Sequence, residues 1–253
     1  MKIPFVPIAV LSFVAFGADG LAQQPAKPPK GGKKETPEKP PEKKPGEGKE
    51  ISVTGEVVNL ACPLFAAESP DAKHVCGPDC LKGGAWAGLI DDASGDLFVV
   101  VGKDQASAAA RLGTWAGQHV TVKGKATEGK GLRALELEDV SKAQGAAKPA
   151  EASALKAREG TITGSVVNVL CALHPASNGE HHACDAKCLE GKQVLVGIRD
   201  DASGKIYVGF APIDPKAGPK PAIETLRPLI GAKASVTGKI AGNLIEVTKA
   251  AKG

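Results

Sequence analysis

The chain carries the sequence TGEVVN at residues 54–59 and repeats it as TGSVVN at residues 163–168. Two other blocks recur at nearly the same spacing: HVC at 74–76 with HAC at 182–184, and DDASG at 91–95 and again at 200–204. Blocks that recur about 109 residues apart along a long segment indicate a duplicated domain. All six cysteines lie inside the two copies, three in each. Any proposed function must therefore explain three cysteines in every copy.

Each copy shows the pattern of five strands and one helix. Apolar runs in the first copy predict strands at 51–60, 85–90, 96–101, 119–125 and 132–140, and an alanine-rich segment predicts a helix at 105–115. The second copy repeats this order, with strands at 160–169, 193–198, 205–210, 232–240 and 243–248 and a helix near 221–230. Three strands, a helix and two strands is the order of the OB-fold. We therefore expect a mostly β protein with two tandem five-stranded OB-like barrels, each with one helix between strands 3 and 4.

Two local signals agree with closed barrels. Gly55 lies inside the first predicted strand, and a glycine there marks a bulge or a sharp bend. A bend suits a small barrel, because its first strand must pair with both neighbours. The DDASG blocks fall between strands 2 and 3, where Asp, Ser and Gly are typical turn residues. We interpret their acidic pairs as turn residues rather than catalytic carboxylates: Asp91, Asp92, Asp200 and Asp201.

This arrangement resembles small exported bacterial proteins with OB-fold domains, here in tandem. The resemblance covers both repeats. It depends on the strand and helix order, on the Thr-Gly-x-Val-Val-Asn strand and on a His-x-Cys-x3-Cys-Leu loop. It implies the barrel fold and an exported location, and it brings no assigned activity with it.

Composition divides the chain into five segments. Residues 1–22 have a positive start, an apolar run and small residues at the end, which predicts a signal peptide and export to the periplasm or the extracellular space. Residues 23–50 are rich in Pro, Lys and Glu and predict a disordered linker. OB-like domains are then expected at 51–142 and 159–250, joined by a linker at 143–158. No transmembrane segment is expected after signal cleavage.

Charge and composition exclude several function classes. Most of the net charge of +4 comes from the Pro/Lys/Glu linker, so the folded domains are close to neutral. Six Phe, two Trp and one Tyr offer few platforms for base stacking, so nucleic acid is not an expected partner. The sequence has no glycine-rich phosphate loop, no Ser-His-Asp order and no zinc-protease helix. We therefore expect a non-enzymatic protein.

The cysteine loops follow the first strand of each copy, and in OB-folds this loop lines the binding face. Their spacing is Cys62-x11-His74-x-Cys76-x3-Cys80 and Cys171-x10-His182-x-Cys184-x3-Cys188. A helical turn places two cysteines four residues apart on one face. Three thiolates and one imidazole form a tetrahedral set suited to Zn²⁺, and three sulfurs also suit Cu⁺. The sequence therefore predicts two sites for a thiophilic metal ion, which is the expected partner and cofactor.

Two alternatives remain open at this stage. An exported protein meets an oxidising compartment, and a disulfide from Cys62 to Cys76 or Cys80 would staple the loop to the barrel. Barrels stapled in this way would form an interaction module for a protein or a glycan at the cell envelope. Each copy would then have one cysteine left over, which could serve thiol–disulfide redox chemistry. Of the three other histidines, His174 and His181 are predicted to be exposed to solvent, and His119, in a strand, is predicted to be a packed or surface residue.

Overall fold

The computed structural model describes residues 48–64, 77–82, 85–103, 105–144, 157–173, 194–212 and 220–253. These residues form two closed five-stranded barrels that follow one another along the chain, with a few short helices. None of the helices in the described ranges has the length and apolar composition that a membrane span requires.

The first barrel has the OB-fold strand order. Its strands are β1 Lys49–Asn59, β2 Ala87–Asp91, β3 Leu97–Val101, β4 His119–Gly129 and β5 Leu132–Lys142. The pairing runs β1-β2-β3-β5-β4 and closes between β4 and β1. Only the β3–β5 pair is parallel. The helix α1, Ala109–Leu112, lies between β3 and β4, as the sequence predicts.

The second barrel repeats this architecture. Its strands are β6 Arg158–Asn168, β7 Val196–Asp200, β8 Ile206–Phe210, β9 Lys233–Ala241 and β10 Leu244–Lys252. The pairing runs β6-β7-β8-β10-β9 and closes between β9 and β6. A one-turn helix, α2 Val169–Leu173, follows β6, and α3, Ile223–Leu226, lies between β8 and β9. The predicted tandem OB-like fold is therefore confirmed.

The helices between strands 3 and 4 are shorter than the sequence predicts. In the first barrel, Ser107 forms an isolated bridge with Val101, and the Ala108 N–H donates to the carbonyl of Val100 at 3.3 Å. These residues extend the sheet, so α1 begins only at Ala109 and continues as a 3₁₀ turn to Trp115. In the second barrel a bridge between Phe210 and Pro221 delays α3 in the same way.

Glycine makes the corner of each barrel possible. Gly55 pairs with Asp91 on β2 and with Val120 on β4, so β1 serves both neighbours at this point. A Cβ at position 55 would lie 2.0 Å from the carbonyl oxygen of Ile90, and one at Gly164 would lie 1.9 Å from a carbonyl oxygen of β7. No side chain fits at these distances, and β1 pairs with both neighbours at this glycine, as the sequence predicts.

A second pair of glycines has the same role and was not predicted. A Cβ at Gly124 would lie 1.9 Å from the carbonyl oxygen of Glu136, and one at Gly238 would lie 1.8 Å from that of Glu246. Gly124 adjoins a shift in the register between β4 and β5. Such close backbone approaches let long strands curve enough to close the sheet.

The strand β3 is apolar on both faces. Phe98 and Val100 belong to the interior cluster of the first barrel. Val99 and Val101 belong instead to a cluster that also contains Val208 and Phe210 of β8. The same outward positions of the two copies thus meet in one apolar cluster, because β3 and β8 occupy equivalent places in the two barrels.

We call this shared cluster the seam. Besides those four residues, it contains Leu60, Ala61, Leu64, Trp86, Leu132 and Ala134 from the first barrel and Val169, Leu173, Leu195, Ile206, Ala241 and Leu244 from the second. A backbone hydrogen bond also crosses it, from the Ile206 N–H to the carbonyl of Lys130 at 3.0 Å. Both barrels consequently belong to one compact unit.

We expect Gly55→Ala to destabilise the protein by about 1–3 kcal/mol, because the added methyl group overlaps the backbone of β2. Gly113→Ala is the matched control, since a Cβ at Gly113 would meet nothing within 4 Å. Its effect should stay within about 1 kcal/mol. Urea denaturation measures both changes. Equal midpoints for the two variants would contradict the claim that the corner of the barrel requires glycine at position 55.

Candidate cysteine-loop site

The first cysteine loop brings cysteines from its two ends together. Cys62 follows β1 and is 7% exposed. Cys80 lies in a 3₁₀ turn, Pro78–Leu81, and is partly buried. Both side chains pack into one small cluster with Val58 and Ile90. The fold therefore places the first and last members of the predicted ligand set on the same patch of the barrel wall.

The side chain of Asn59 joins the two ends of this loop. Asn59 is 2% exposed, and its Nδ2 donates to the carbonyl oxygen of Cys80 at 2.6 Å. Its Oδ1 accepts from the backbone N–H of Ala61 at 3.0 Å. A buried amide needs partners for both its donor and its acceptor. Asn59 obtains them from Ala61 at the start of the loop and Cys80 at its end, and so joins the two ends that carry Cys62 and Cys80.

The turn that carries Cys80 is itself well anchored. Pro78 occupies its first position, where proline costs no hydrogen bond. Leu81 inserts into the interior of the first barrel and is 5% exposed. The backbone N–H of Gly77 donates to Sγ of Cys80 at 3.5 Å. A donor directed at sulfur stabilises negative charge on that atom, as a metal-bound thiolate requires.

The second loop starts in a related way, but its cysteine is more open. Oδ1 of Asn168 accepts from the N–H groups of Leu170 and Cys171 at 3.1 and 3.3 Å, which caps the start of α2. Cys171 is exposed, whereas Val169 and Leu173 on the same helical turn are buried in the seam. The two copies thus use an equivalent asparagine and differ in the exposure of the first cysteine.

The predicted ligand sets are only partly within the described residues. Cys62, Cys80 and Cys171 are placed by the structure, while five members lie outside the described residues: His74, Cys76, His182, Cys184 and Cys188. His174 and His181 also lie outside them. The described ranges alone contain no group of three or more Cys, His, Asp or Glu side chains that could hold a metal ion. The two complete sites therefore stay a prediction.

The acidic pairs are turn residues, as predicted. Asp91 accepts from the N–H of Ala93 at 3.1 Å and from the hydroxyl of Ser94 at 2.7 Å. Gly95 follows with a φ of 73°, a left-handed conformation that glycine adopts without strain. Asp200 makes the equivalent contacts with Ala202 and Ser203, and Gly204 has a φ of 71°.

The second aspartate of each pair contacts a side chain at the start of the fourth strand. Nδ1 of His119 lies 3.1 Å from Oδ1 and 3.2 Å from Oδ2 of Asp92. In the second barrel Lys233 pairs with Asp201. His119 is thus a packed residue with a structural partner, and position 119 carries an imidazole where the second copy has the amine of Lys233.

Part of the surface that OB-folds commonly use for ligands lies in the seam, among the residues that the structure describes. That surface comprises strands 2 and 3 and the loops before strands 2 and 5. In this chain its aromatic residues, Trp86 and Phe210, are each 1% exposed within the seam. At the edge of the seam, Arg133 is held by Asp96 at 2.7 Å and Glu128 at 3.4 Å. Two carboxylates therefore already balance its charge.

Sequence reasoning missed the seam, although a signal for it was present. Leu97–Val101 is a continuous apolar run, and such a run predicts a strand that is buried on both faces. A barrel interior covers only one face. The other face of β3 therefore needs a partner, which the second copy provides.

Comparison of the chain with known protein families, with curated proteins and with solved structures finds no match. The OB-like fold is accordingly established by strand order and pairing alone.

We expect Asn59→Ala to lower the free energy of unfolding by about 1–3 kcal/mol, because the partly buried Cys80 carbonyl and the buried Ala61 N–H lose their partner. Asn59→Asp keeps the acceptor for the Ala61 N–H and removes the donor to Cys80. The alkylation rate of Cys62 should rise in Asn59→Ala, since that cysteine is buried only while the loop ends stay joined. If Asn59→Ala changed neither the stability nor the reactivity of Cys62, the side-chain amide of Asn59 would not be what holds the ends of the loop together.

The Ser203 hydroxyl, with the backbone N–H groups of Ala202 and Ser203, holds the pKa of Asp200 below its ordinary value. A pKa that is lower in the folded than in the unfolded chain stabilises the fold above about pH 4, and this contribution is lost as the pH falls through the folded value. Ser203→Ala should return the pKa toward the ordinary value in an NMR titration. Ser94→Ala, in the equivalent turn of the first barrel, should leave the pKa of Asp200 unchanged. Identical titration curves of Asp200 in the wild type and in Ser203→Ala would show that the Ser203 hydroxyl does not lower this pKa.

Proposed function

We propose that the chain is an exported, non-enzymatic tandem-barrel protein whose cysteine loops bind a thiophilic metal ion, Zn²⁺ or Cu⁺. The ion serves either as a structural element or as cargo handled outside the cytoplasm. The observation that supports this most is the joining of Cys62 and Cys80 by Asn59. The first ligand set is Cys62, His74, Cys76 and Cys80; the second is Cys171, His182, Cys184 and Cys188.

The surroundings of the first set suit a metal–thiolate centre. Cys62 and Cys80 pack beside Val58 and Ile90, and an apolar wall restricts the access of water and strengthens the interaction between a cation and thiolates. The Gly77 N–H adds a donor to the Cys80 sulfur. Two ligands presented by one patch also leave less conformational entropy to be lost when the ion binds.

The difference between the two copies suggests different exchange rates. Cys62 is buried, whereas Cys171 lies on the exposed side of α2. A ligand atom that solvent and competing ligands can reach permits faster exchange of the ion. The second loop is therefore the better candidate for metal transfer, and the first for a structural centre.

One observation also favours a second candidate, a disulfide-stapled interaction module. The placement of Cys62 and Cys80 in one apolar cluster suits a covalent staple between the ends of the loop, and a disulfide closing a loop of this length contributes about 3 kcal/mol. The partner, a protein or a glycan at the envelope, would then bind outside the seam, because the seam covers β3 and β8.

The deciding experiment is native mass spectrometry of the mature protein, purified without a metal-binding tag, compared with its denatured mass. We expect two metal equivalents that leave on denaturation, with all six thiols intact. In the double variant His74→Ala/His182→Ala the affinity should fall roughly tenfold or more, because each site loses one of four ligands. His119→Ala is the matched control, since His119 pairs with Asp92 away from the loops.

Three results would contradict the proposal. The first is a metal-free protein that has lost two hydrogens for each disulfide, which would establish the stapled module. The second is full metal affinity in the double histidine variant, which would remove His74 and His182 from the ligand sets. The third is an equal loss of affinity in His119→Ala, which would show that the effect comes from general destabilisation.

A further inference from the structure

The seam is built from the same positions of both copies. The backbone N–H of Leu60 donates to the carbonyl of Trp86, and that of Val169 donates to the carbonyl of Leu195, each at 2.8 Å, so these residues correspond. Six pairs of equivalent residues lie in the seam: Leu60 and Val169, Leu64 and Leu173, Trp86 and Leu195, Val99 and Val208, Val101 and Phe210, and Ala134 and Leu244. Two subunits of a symmetric dimer also meet through the same patch of surface. The seam has this property within a single chain.

Each barrel is closed without help from the other. Every strand ladder in the described ranges pairs strands of one barrel. The interior cluster of the first barrel contains residues of the first copy alone, and that of the second contains residues of the second copy alone. Separating the barrels would break the hydrogen bond from Ile206 to Lys130 and expose the seam, but it would leave the ladders and both interiors intact. The seam is thus an interface between two folded units.

The seam has the composition of the centre of a protein–protein interface. Its sixteen residues are all apolar, and the two aromatic ones, Trp86 and Phe210, are each 1% exposed. Charged side chains lie at its edge, where Arg133 contacts Asp96 at 2.7 Å. Stable interfaces typically combine an apolar centre, buried aromatic side chains and a polar rim.

We call the seam residues of the first barrel the first face and those of the second barrel the second face. The larger residue belongs to the first face in two of the six equivalent pairs and to the second face in two others. These four unequal pairs are Trp86 and Leu195, Leu60 and Val169, Val101 and Phe210, and Ala134 and Leu244. Two faces of the same kind would duplicate one set of large residues and lack the other. Overpacking and cavities both destabilise a packed interface, so the differences favour a first face on a second face.

We propose that the seam is a protein–protein interface that holds without the connecting chain, and that a second copy of this chain is a partner it fits. In the intact protein the connection keeps the two faces of one chain at a high effective concentration, so the closed monomer is favoured. When the faces of one chain cannot pair, each binds the unlike face of another copy, as in domain swapping. The inference is independent of any ligand of the cysteine loops.

A cut between the barrels tests whether the seam holds by itself. A protease site is placed within residues 145–156 of the full chain, and the cleaved protein is examined by native mass spectrometry. We expect one species that contains both halves. Trp86→Ala should weaken the association of the halves about thirtyfold or more. Leu112→Ala removes a similarly buried side chain from the interior of the first barrel and should leave the association nearly unchanged. Circular dichroism checks that both variants are folded.

A pair of seam variants in the intact chain tests binding to a second copy. Val99→Asp places a charge in the first face, and Val208→Asp places one at the equivalent position of the second face; both valines are 0% exposed. Each variant alone retains one undamaged face and should be monomeric, because like faces pair poorly. In a mixture, the second face of Val99→Asp can bind the first face of Val208→Asp. We therefore expect a heterodimer with one chain of each variant.

Each result of these experiments bears on the inference. Halves that separate after cleavage at low micromolar concentration would overturn it. Equal weakening in Trp86→Ala and Leu112→Ala would show that association follows the stability of the barrel, which would also overturn it. Homodimers of either variant alone would contradict the preference for unlike faces. A mixture that stays monomeric would exclude the second copy as a partner. Because none of these measurements involves a metal ion, the proposed metal sites are tested separately.

Discussion

The apolar outward face of β3 must be kept from water, and much of the structure follows from that requirement. The interior of a small barrel covers only one side of each strand, yet Leu97–Val101 is apolar on both. Burial of apolar surface stabilises a protein by roughly 25 cal/mol for each Å², so an exposed second face would be a considerable loss. Duplication solves the problem, because the second copy presents the equivalent face of β8. The two barrels cover one another at the seam.

This packing buries part of the face that OB-folds commonly use for ligands. In most OB-folds the face around strands 2 and 3 is available to ligands, whereas here its aromatic residues, Trp86 and Phe210, are inside the seam. The cysteine loops begin where the seam ends. Their first residues serve as seam contacts, and Asn59 then brings Cys80 back toward Cys62.

The two copies agree in their backbone and differ in their chemistry. Gly55 and Gly164 make the same corner, and Asn59 and Asn168 both begin a cysteine loop. In contrast, Cys62 is buried and Cys171 is exposed, and His119 faces Asp92 where Lys233 faces Asp201. Positions that close the barrel are under geometric constraint and are repeated. Positions outside that constraint differ between the copies.

The amino-acid sequence by itself determined the duplication, the ten strands, the corner at Gly55 and the DDASG turns, because periodicity, turn chemistry and repeat spacing are local properties. The helix lengths were wrong, since residues before α1 and α3 make bridges to distant strands that no local pattern reports. Only the tertiary structure decided the seam, the burial of Asn59 and the meeting of Cys62 with Cys80. These features depend on which apolar face finds which partner, and that choice is made by packing between segments far apart in the chain.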